Sequence, residues 1–402
     1  MEVIKMKKAV YVVIAILFMI LLTTCDIVYA AAPYHIGIVT GTVSQGEDEL
    51  RGAERVIQEY GDASSGGMIV HVTYPDNFMQ EMETVISQIV GLADDPLMKA
   101  IIVNQSIPGT TEAFRRVKER RPDILCFAAE AQEDPGVISS VADLVTSVND
   151  IYRGYLIPVA AKKMGATDFV HISFPRHMSY ELLSRRRNIM EATCKDIGLK
   201  FHFETAPDPV SDVGVAGAQQ FILEKVPAWL EKYGPKTAFF NTNVAHVEPL
   251  IRQIVTYGGY YVESSVPSPL RGYPGALGLD LTAEKGNFPA IMKKIENVII
   301  QKGASGRLGT WAYSCGYAES AGLVELAKRV IDGKAKTSIG DLIKAYEKYT
   351  PGSEWNGSYY VDLNTGIEKT NYILVYQDTY VFGKGYLGLT KLQVPQKYLK
   401  IK

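Results

Sequence analysis

The sequence predicts an α/β protein built as two doubly wound parallel-sheet lobes joined by a hinge, with a C-terminal β-rich extension. Three observations predict it. Short, β-branched apolar runs alternate with longer amphipathic stretches, as successive βαβ units on a parallel sheet do. The alternation begins at His35 and begins afresh near Asn149. The 402 residues also exceed what one hydrophobic core organises, so two units of ordinary size are expected.

The first unit reads as strand 35–40, helix 48–60, strand 68–73, helix 79–92, strand 100–104, helix 110–120 and strand 124–128, closing through 137–147 with a short strand near Leu144. The second opens with Asp150 as the N-cap of a helix running to Lys163. Strand 168–173, a basic helix 180–197, strand 200–204, helix 216–233, strand 237–241, helix 247–256 and strand 260–263 follow. Residues 265–274 are rich in proline and glycine and predict a crossover. Beyond it come strand 275–281, helix 288–301, strand 308–313 and helix 318–331. The tail from Tyr349 predicts antiparallel strands at 358–363 and 372–377, lying over the hinge. The resulting division is 1–30 as a signal peptide, 33–148 as the first lobe with part of 304–345, 149–303 as the second lobe and 346–402 as the extension near the hinge.

An apolar content of 47% with 21% charged residues matches a globular chain, and a net charge of −2 supplies no field to attract nucleic acid. A small neutral or zwitterionic ligand is the expected partner. Lys5, Lys7 and Lys8 precede an unbroken apolar run over 9–22, which reads as a secretory signal too short to span a membrane. Two processing points compete. Val28-Tyr29-Ala30 offers small residues to a signal peptidase, whereas Leu22-Thr23-Thr24-Cys25 resembles a lipobox with an atypical Thr24. Lipidation at Cys25 would tether the protein to the outer face of the membrane; cleavage after Ala30 would leave it periplasmic or secreted. Cys126, Cys194 and Cys315 remain, an odd and widely spaced set that implies no disulfide framework.

The strand-end loop His35-Ile36-Gly37-Ile38-Val39-Thr40-Gly41-Thr42, the helix start at Asp150 and Gly154, and the strand Ala238-Phe239-Phe240-Asn241-Thr242-Asn243 carry a resemblance. The chain resembles the type I periplasmic-binding-protein superfamily, and looks more closely like an uncharacterised family of secreted clostridial proteins with that fold. The resemblance spans almost all of the chain after the signal. It implies a solute-binding protein, and export with no helix-turn-helix segment argues against the repressors that share the fold.

In open parallel sheets, ligands bind beyond the carboxyl ends of the strands, where loops and helix N-termini present free N–H groups. That rule selects Thr42, Ser44, Gln45, Asn104, Gln105, Ser106 and Glu130 in the first lobe. In the second it selects Arg176, His177, Asn241, Asn243 and Asp280, with Asp150 at the junction and Phe174 and Tyr313 as apolar faces. Each has a plain structural alternative as a cap or turn residue. Arg176 reads either as a bidentate clamp for a carboxylate or as a surface charge, and Arg185-Arg186-Arg187 as a solvated helix face.

No Gly-x-Ser-x-Gly elbow, phosphate loop, HExxH helix or paired Cys-x-x-Cys occurs, and the six histidines stand singly, so no catalytic residue, cofactor or metal is expected. Three functions stay open: the capture subunit of an ABC importer with a membrane permease as partner, an extracellular sensor, and a secreted hydrolase or isomerase using Glu130 or Asp280. The capture subunit leads.

Overall fold

The computed structural model describes residues 32–402; the signal peptide and the lipidation candidate Cys25 lie outside them. Two parallel sheets form, as the alternation predicts. The first contains β1 (His35–Thr40), β2 (Ile69–Thr73), β3 (Met98–Val103), β4 (Leu125–Ala129) and β5 (Leu144–Val148). The second contains β6 (Asp168–Ser173), β7 (Lys200–Thr205), β8 (Thr237–Asn241) and the two-residue β9 (Tyr260–Tyr261), in the order β7-β6-β8-β9 and all parallel. Every residue of β5, β6 and β8 is buried, because helices cover both faces of a parallel sheet. The edge strand β7 instead alternates between exposed and half-buried positions.

After β10 (Gly309–Trp311) the chain enters the helix Cys315–Ile331, which packs on the helix Val43–Tyr60 and on β1, β3 and β4. Gly52 and Gly322 permit this packing: a Cβ at Gly52 would lie 2.7 Å from the Tyr317 carbonyl oxygen, and one at Gly322 would lie 2.4 Å from the Tyr346 ring. The tail holds a hairpin of β11 (Trp355–Val361) and β12 (Glu368–Gln377). It does not simply lie over the hinge. β12 pairs in parallel with β5, so the first sheet becomes seven-stranded in the order β11-β12-β5-β4-β3-β1-β2. The reason is in its sequence: after a half-exposed start, the last six residues of β12 are buried without interruption. Only β13 (Thr379–Val381) and β14 (Gly385–Tyr386) form a separate antiparallel sheet, with β10. The last short helix, Gln396–Leu399, packs on the helices Asp150–Met164 and Glu181–Ile197 of the second lobe.

Three expectations need correction. Residues 275–281 form no strand: Tyr273–Leu277 is a short helix with proline in its first turn, bracketed by Gly272 (φ 77°) and Gly278 (φ 69°), conformations a strand does not use. The helix from 150 is capped by Asn149, whose Oδ1 accepts from the Tyr152 N–H at 2.9 Å, which moves Asp150 to the first helical position. The arginine run is not a solvated face, since Arg185 is 4% exposed and Arg186 is fully buried.

The chain passes between the lobes at three places: from β5 into the helix Asp150–Met164, from β10 into the helix Cys315–Ile331, and from β12 into β13. One carboxylate touches all three. Glu263, just beyond β9, accepts from Arg153 Nε at 2.7 Å, from Trp311 Nε1 at 3.0 Å and from Thr379 Oγ1 at 2.7 Å. Arg153 also donates to the Ser264 and Ser265 carbonyls, each at 2.7 Å, and to Asp150 Oδ1 at 3.1 Å. Arg186 completes the network by pairing with Asp150 and donating to Ser265 Oγ at 3.0 Å. A buried charge pair is expensive to break because the survivor stays unpaired in a poorly solvating interior. Glu263→Gln and Arg186→Met are therefore each expected to lower unfolding stability by about 3–5 kcal/mol in urea titrations. A solvated Arg186 would instead change it by under about 0.5 kcal/mol.

Candidate ligand-binding cleft

The rim of the first lobe is built where β1, β2, β3 and β4 end. Thr42 hydrogen-bonds Asp76, Ser44 Oγ donates to Asp76 Oδ2 at 2.7 Å and Gln45 Nε2 donates to the Asp76 carbonyl at 2.9 Å. These hydroxyls hold the Asp76 carboxyl below the usual carboxylate range. Thr42, Ser44 and Gln45 thus converge on the loop after β2. The helix that follows is broken at Gly46 (φ −164°, ψ 72°), and the turn after it carries Asp48 and Glu49 inward, each 3% exposed.

Glu49 is the centre of this rim. Gln105 Nε2 donates to Glu49 Oε1 at 3.1 Å and to the Gln45 carbonyl at 3.1 Å. The other oxygen, Glu49 Oε2, is sealed with no partner, as are Asn104 Oδ1 and the Tyr74 hydroxyl. Asn104 uses only its amide, which donates to the Val39 carbonyl at 3.3 Å. A Cβ at Gly46 would lie 2.6 Å from Glu49 Oε2, and one at Gly316 would lie 2.5 Å from its Cδ, so both glycines make room for this carboxylate. Gln105 (φ 55°) and Glu130 (φ 48°) are the two non-glycine residues in left-handed backbone among those described. Each costs on the order of 1–3 kcal/mol, a strain that concentrates at working sites. Ser106 is spent locally on the Val103 carbonyl, and Glu130 turns inward to accept from the Val148 N–H at 2.7 Å.

Two residues of the segment after β9 reach this rim from the second lobe. Ser268 Oγ donates to Asp48 Oδ1 at 3.2 Å, while Arg271 lies 3.5 Å from Asp48 and 3.8 Å from Glu49. Burial lifts the Asp48 carboxyl to about 6, helped by neighbouring Glu49 and opposed by Arg271 and by hydrogen bonds from Ser268 and Ser314.

The second lobe's own rim is largely self-satisfied. Arg176 does clamp a carboxylate bidentately, but it is the chain's own Asp208, at 2.7 and 2.9 Å. Phe174 is buried beneath His177, with ring centroids 4.2 Å apart, and Arg176. Burial and Arg176 push His177 down to about 4, so it is neutral at pH 7, with Nδ1 3.1 Å from Thr242 Oγ1. Asn241 has both ends occupied, by the Asn243 carbonyl and by the Tyr261 hydroxyl, and Asn243 caps the Ala245 N–H. Tyr313 is buried against Phe288 and Tyr317, and its backbone bonds Gln377. Asp280 is no strand end: it is exposed and caps Thr282. Asp150 belongs to the hinge network. Among the described residues, one hollow of about 380 Å³ lies against Phe174, Met178 and Phe203 and another of about 340 Å³ lies between Arg55, Lys285 and Tyr317.

A protein-family model described as a protein of unknown function, DUF3798, matches residues 34–309. The chain belongs to that family. A second family model covers residues 320–401. Two Treponema pallidum (strain Nichols) proteins, both named as uncharacterised, are similar to this DUF3798 chain: one is 46% identical over 45% of it and 82% of the relative, the other 40% identical over 54% of it and 99% of the relative. Among solved structures, a Clostridium difficile 630 protein, named only provisionally as a transcriptional regulator, aligns with a TM-score of 0.77 at 24% identity, covering 88% of this chain and 100% of that one. A sugar ABC transporter protein of Actinomyces odontolyticus ATCC 17982 aligns with a TM-score of 0.54 at 11% identity over 91% and 99% of the two chains. The substrate-binding protein of a sugar ABC transport system from Bordetella parapertussis 12822 gives 0.53 at 10% identity over 92% and 94%. The chain shares its overall fold with these proteins. No helix among the described residues is long and apolar enough to cross a membrane.

Sequence reading selected the strand-end amides and missed Asp48, Glu49, Tyr74, Ser268 and Arg271. Gly46 interrupting an amphipathic stretch was the available signal, because it turns two adjacent acids off the solvent face. Asp48 binds its proton more tightly when folded than when unfolded, so its protonation favours the folded state and that contribution is lost as pH rises from about 4 through about 6. Asp48→Asn is expected to be more stable than wild type at pH 7.5, by up to about 3 kcal/mol, and to lose about half of that advantage by pH 5 in thermal melts. A constant difference across that range would contradict the raised carboxyl.

Proposed function

We propose that the chain is an extracytoplasmic solute-binding protein that captures a small polar ligand between its two lobes. The observation that carries this reading is the pair of sealed acceptors Glu49 Oε2 and Asn104 Oδ1 on a first-lobe rim that Ser268 and Arg271 reach from the second lobe at Asp48 and Glu49. Buried acceptors without donors cost about 1–3 kcal/mol each, so they fit a rim awaiting a ligand better than a finished core. Their chemistry defines the partner as one that presents N–H or O–H donors: a sugar, a nucleoside or an amino-acid-like amine. Asp48, Glu49 and Asp76 give the rim a negative field, which disfavours anionic solutes.

Lobe closure on such a ligand would be read by a membrane permease of the ABC type, with the protein exported by its N-terminal signal and either anchored at Cys25 or released after Ala30. Both sugar-transport neighbours align with this chain over more than nine-tenths of its length, which supports the reading at the level of fold.

A thermal-shift screen of the exported chain against sugars, nucleosides and amino acids tests this. A ligand at about a hundred times its dissociation constant should add about 2.7 kcal/mol of stability and be recovered unchanged. Glu49→Gln and Asn104→Ala should each weaken that ligand roughly tenfold to a hundredfold, with melting of the free protein little altered. Binding that survives both substitutions, or consumption of the compound, would contradict the proposal.

A further inference from the structure

Glu130, Cys315 and Glu319 bring one oxygen or sulfur each to within 4.8 Å of one another. The placement follows from three elements meeting. Cys315 is the first residue of the helix Cys315–Ile331, whose N-cap Ser314 accepts from the Tyr317 N–H at 3.1 Å. Glu319 follows one turn later on the same face. Glu130 comes in from the end of β4, turned inward by its left-handed backbone. Cys315 is fully buried and Glu319 is 1% exposed.

The charge balance of this cluster is unusual. Thr146 Oγ1 donates to Glu319 Oε1 at 2.8 Å, and Glu130 Oε1 takes the Val148 N–H, yet among the described residues no lysine or arginine bonds either carboxylate. Buried carboxylates are ordinarily paired with a cation or ligate a metal. A second observation points the same way. The Tyr346 hydroxyl, on a fully buried side chain, lies beside Glu319, Cys315 and Glu130, with only Thr146, whose own hydroxyl donates to Glu319, near enough to bond it. The distance between donors also fits. Cys315 Sγ lies 3.6 Å from Glu130 Oε1. A tetrahedral ion with a sulfur at about 2.3 Å and an oxygen at about 2.1 Å separates those ligands by about 3.6 Å.

We propose that Glu130, Cys315 and Glu319, with the Tyr346 hydroxyl beside them, form a divalent-metal site of zinc type inside the first lobe. A thiolate with two carboxylates selects a borderline ion over magnesium or calcium, which take oxygen ligands alone. As the metal–sulfur bond forms, the thiol proton leaves to solvent. The bound ion would clamp the helix Cys315–Ile331 to the ends of β4 and β5, where the second hinge crossing enters the lobe. Histidine counting could not find this site; a Cys-x-x-x-Glu pair opening a helix was its sequence signal.

The test uses the full exported chain, stripped with a chelator and titrated with Co²⁺ and then Zn²⁺. One Co²⁺ per chain is expected, with tetrahedral and thiolate-to-cobalt absorption displaced by one Zn²⁺. Cys315→Ser should abolish the thiolate band although Cys126 and Cys194 remain, and Glu319→Gln should weaken Zn²⁺ at least tenfold. If Cys315→Ser does not fold, X-ray absorption on the zinc-loaded wild type decides, with one sulfur among oxygen ligands expected. Absence of stoichiometric binding, a bound ion with no sulfur ligand, or a thiolate band that survives Cys315→Ser would overturn the site and leave a proton-sharing carboxyl pair.

Discussion

Everything in this molecule that resembles a mechanism depends on the Glu263 carboxylate and the three chain crossings it ties together. Arg153, Trp311 and Thr379 come from the three passages between lobes, and each gives Glu263 a hydrogen bond in a buried setting. A hinge of three separate strands of chain would be loose if each bent independently. A shared, desolvated charge makes them one joint, because losing any partner leaves the carboxylate underpaired. Asp150 and Arg186 extend the same joint onto the helix Glu181–Ile197, so the second lobe's helical layer is anchored to the hinge as well as to its sheet.

The cleft inherits its geometry from this joint. The segment that supplies Glu263 continues directly to Ser264 and Ser265, held by Arg153, and then to Ser268 and Arg271, which meet Asp48 and Glu49. Hinge and rim are thus a few residues apart on one stretch of chain. A change in hinge angle moves Ser268 and Arg271 relative to Asp48, and the long 3.5 and 3.8 Å ion contacts are of a kind that water or a ligand can replace. The contacts across the rim are weak and the joint is strongly fixed, an arrangement suited to the opening and closing that the proposed function calls for.

The parallel sheets were legible in the sequence because strands such as Leu144–Val148 and Thr237–Asn241 are buried on both faces and are mostly apolar or β-branched. The strand-end rule pointed to Gln105, which bonds the inward Glu49, and to Glu130, which turns away to the Val148 N–H. What stayed hidden depends on partners distant in sequence. Arg186 reads as a solvated charge until Asp150, 36 positions earlier, is brought against it. Glu49 reads as a helix-start acid until Gly316 and Gln105 close over it. Alternation at 275–281 suggested a strand because periodicity is blind to the positive φ of the flanking glycines. β12 looked like part of a separate cap, although the change from half-exposed to buried residues along it records its insertion beside β5.

The most direct measurement is small-angle X-ray scattering of the chain from Ala32 onward, with and without the compound that gives the largest thermal shift. A hinged solute-binding protein predicts a smaller radius of gyration at saturation, with the titration described by two states, one open and one closed. A bound compound that leaves the scattering profile unchanged would contradict closure about the Glu263 joint and with it the interlobe cleft as the place of binding.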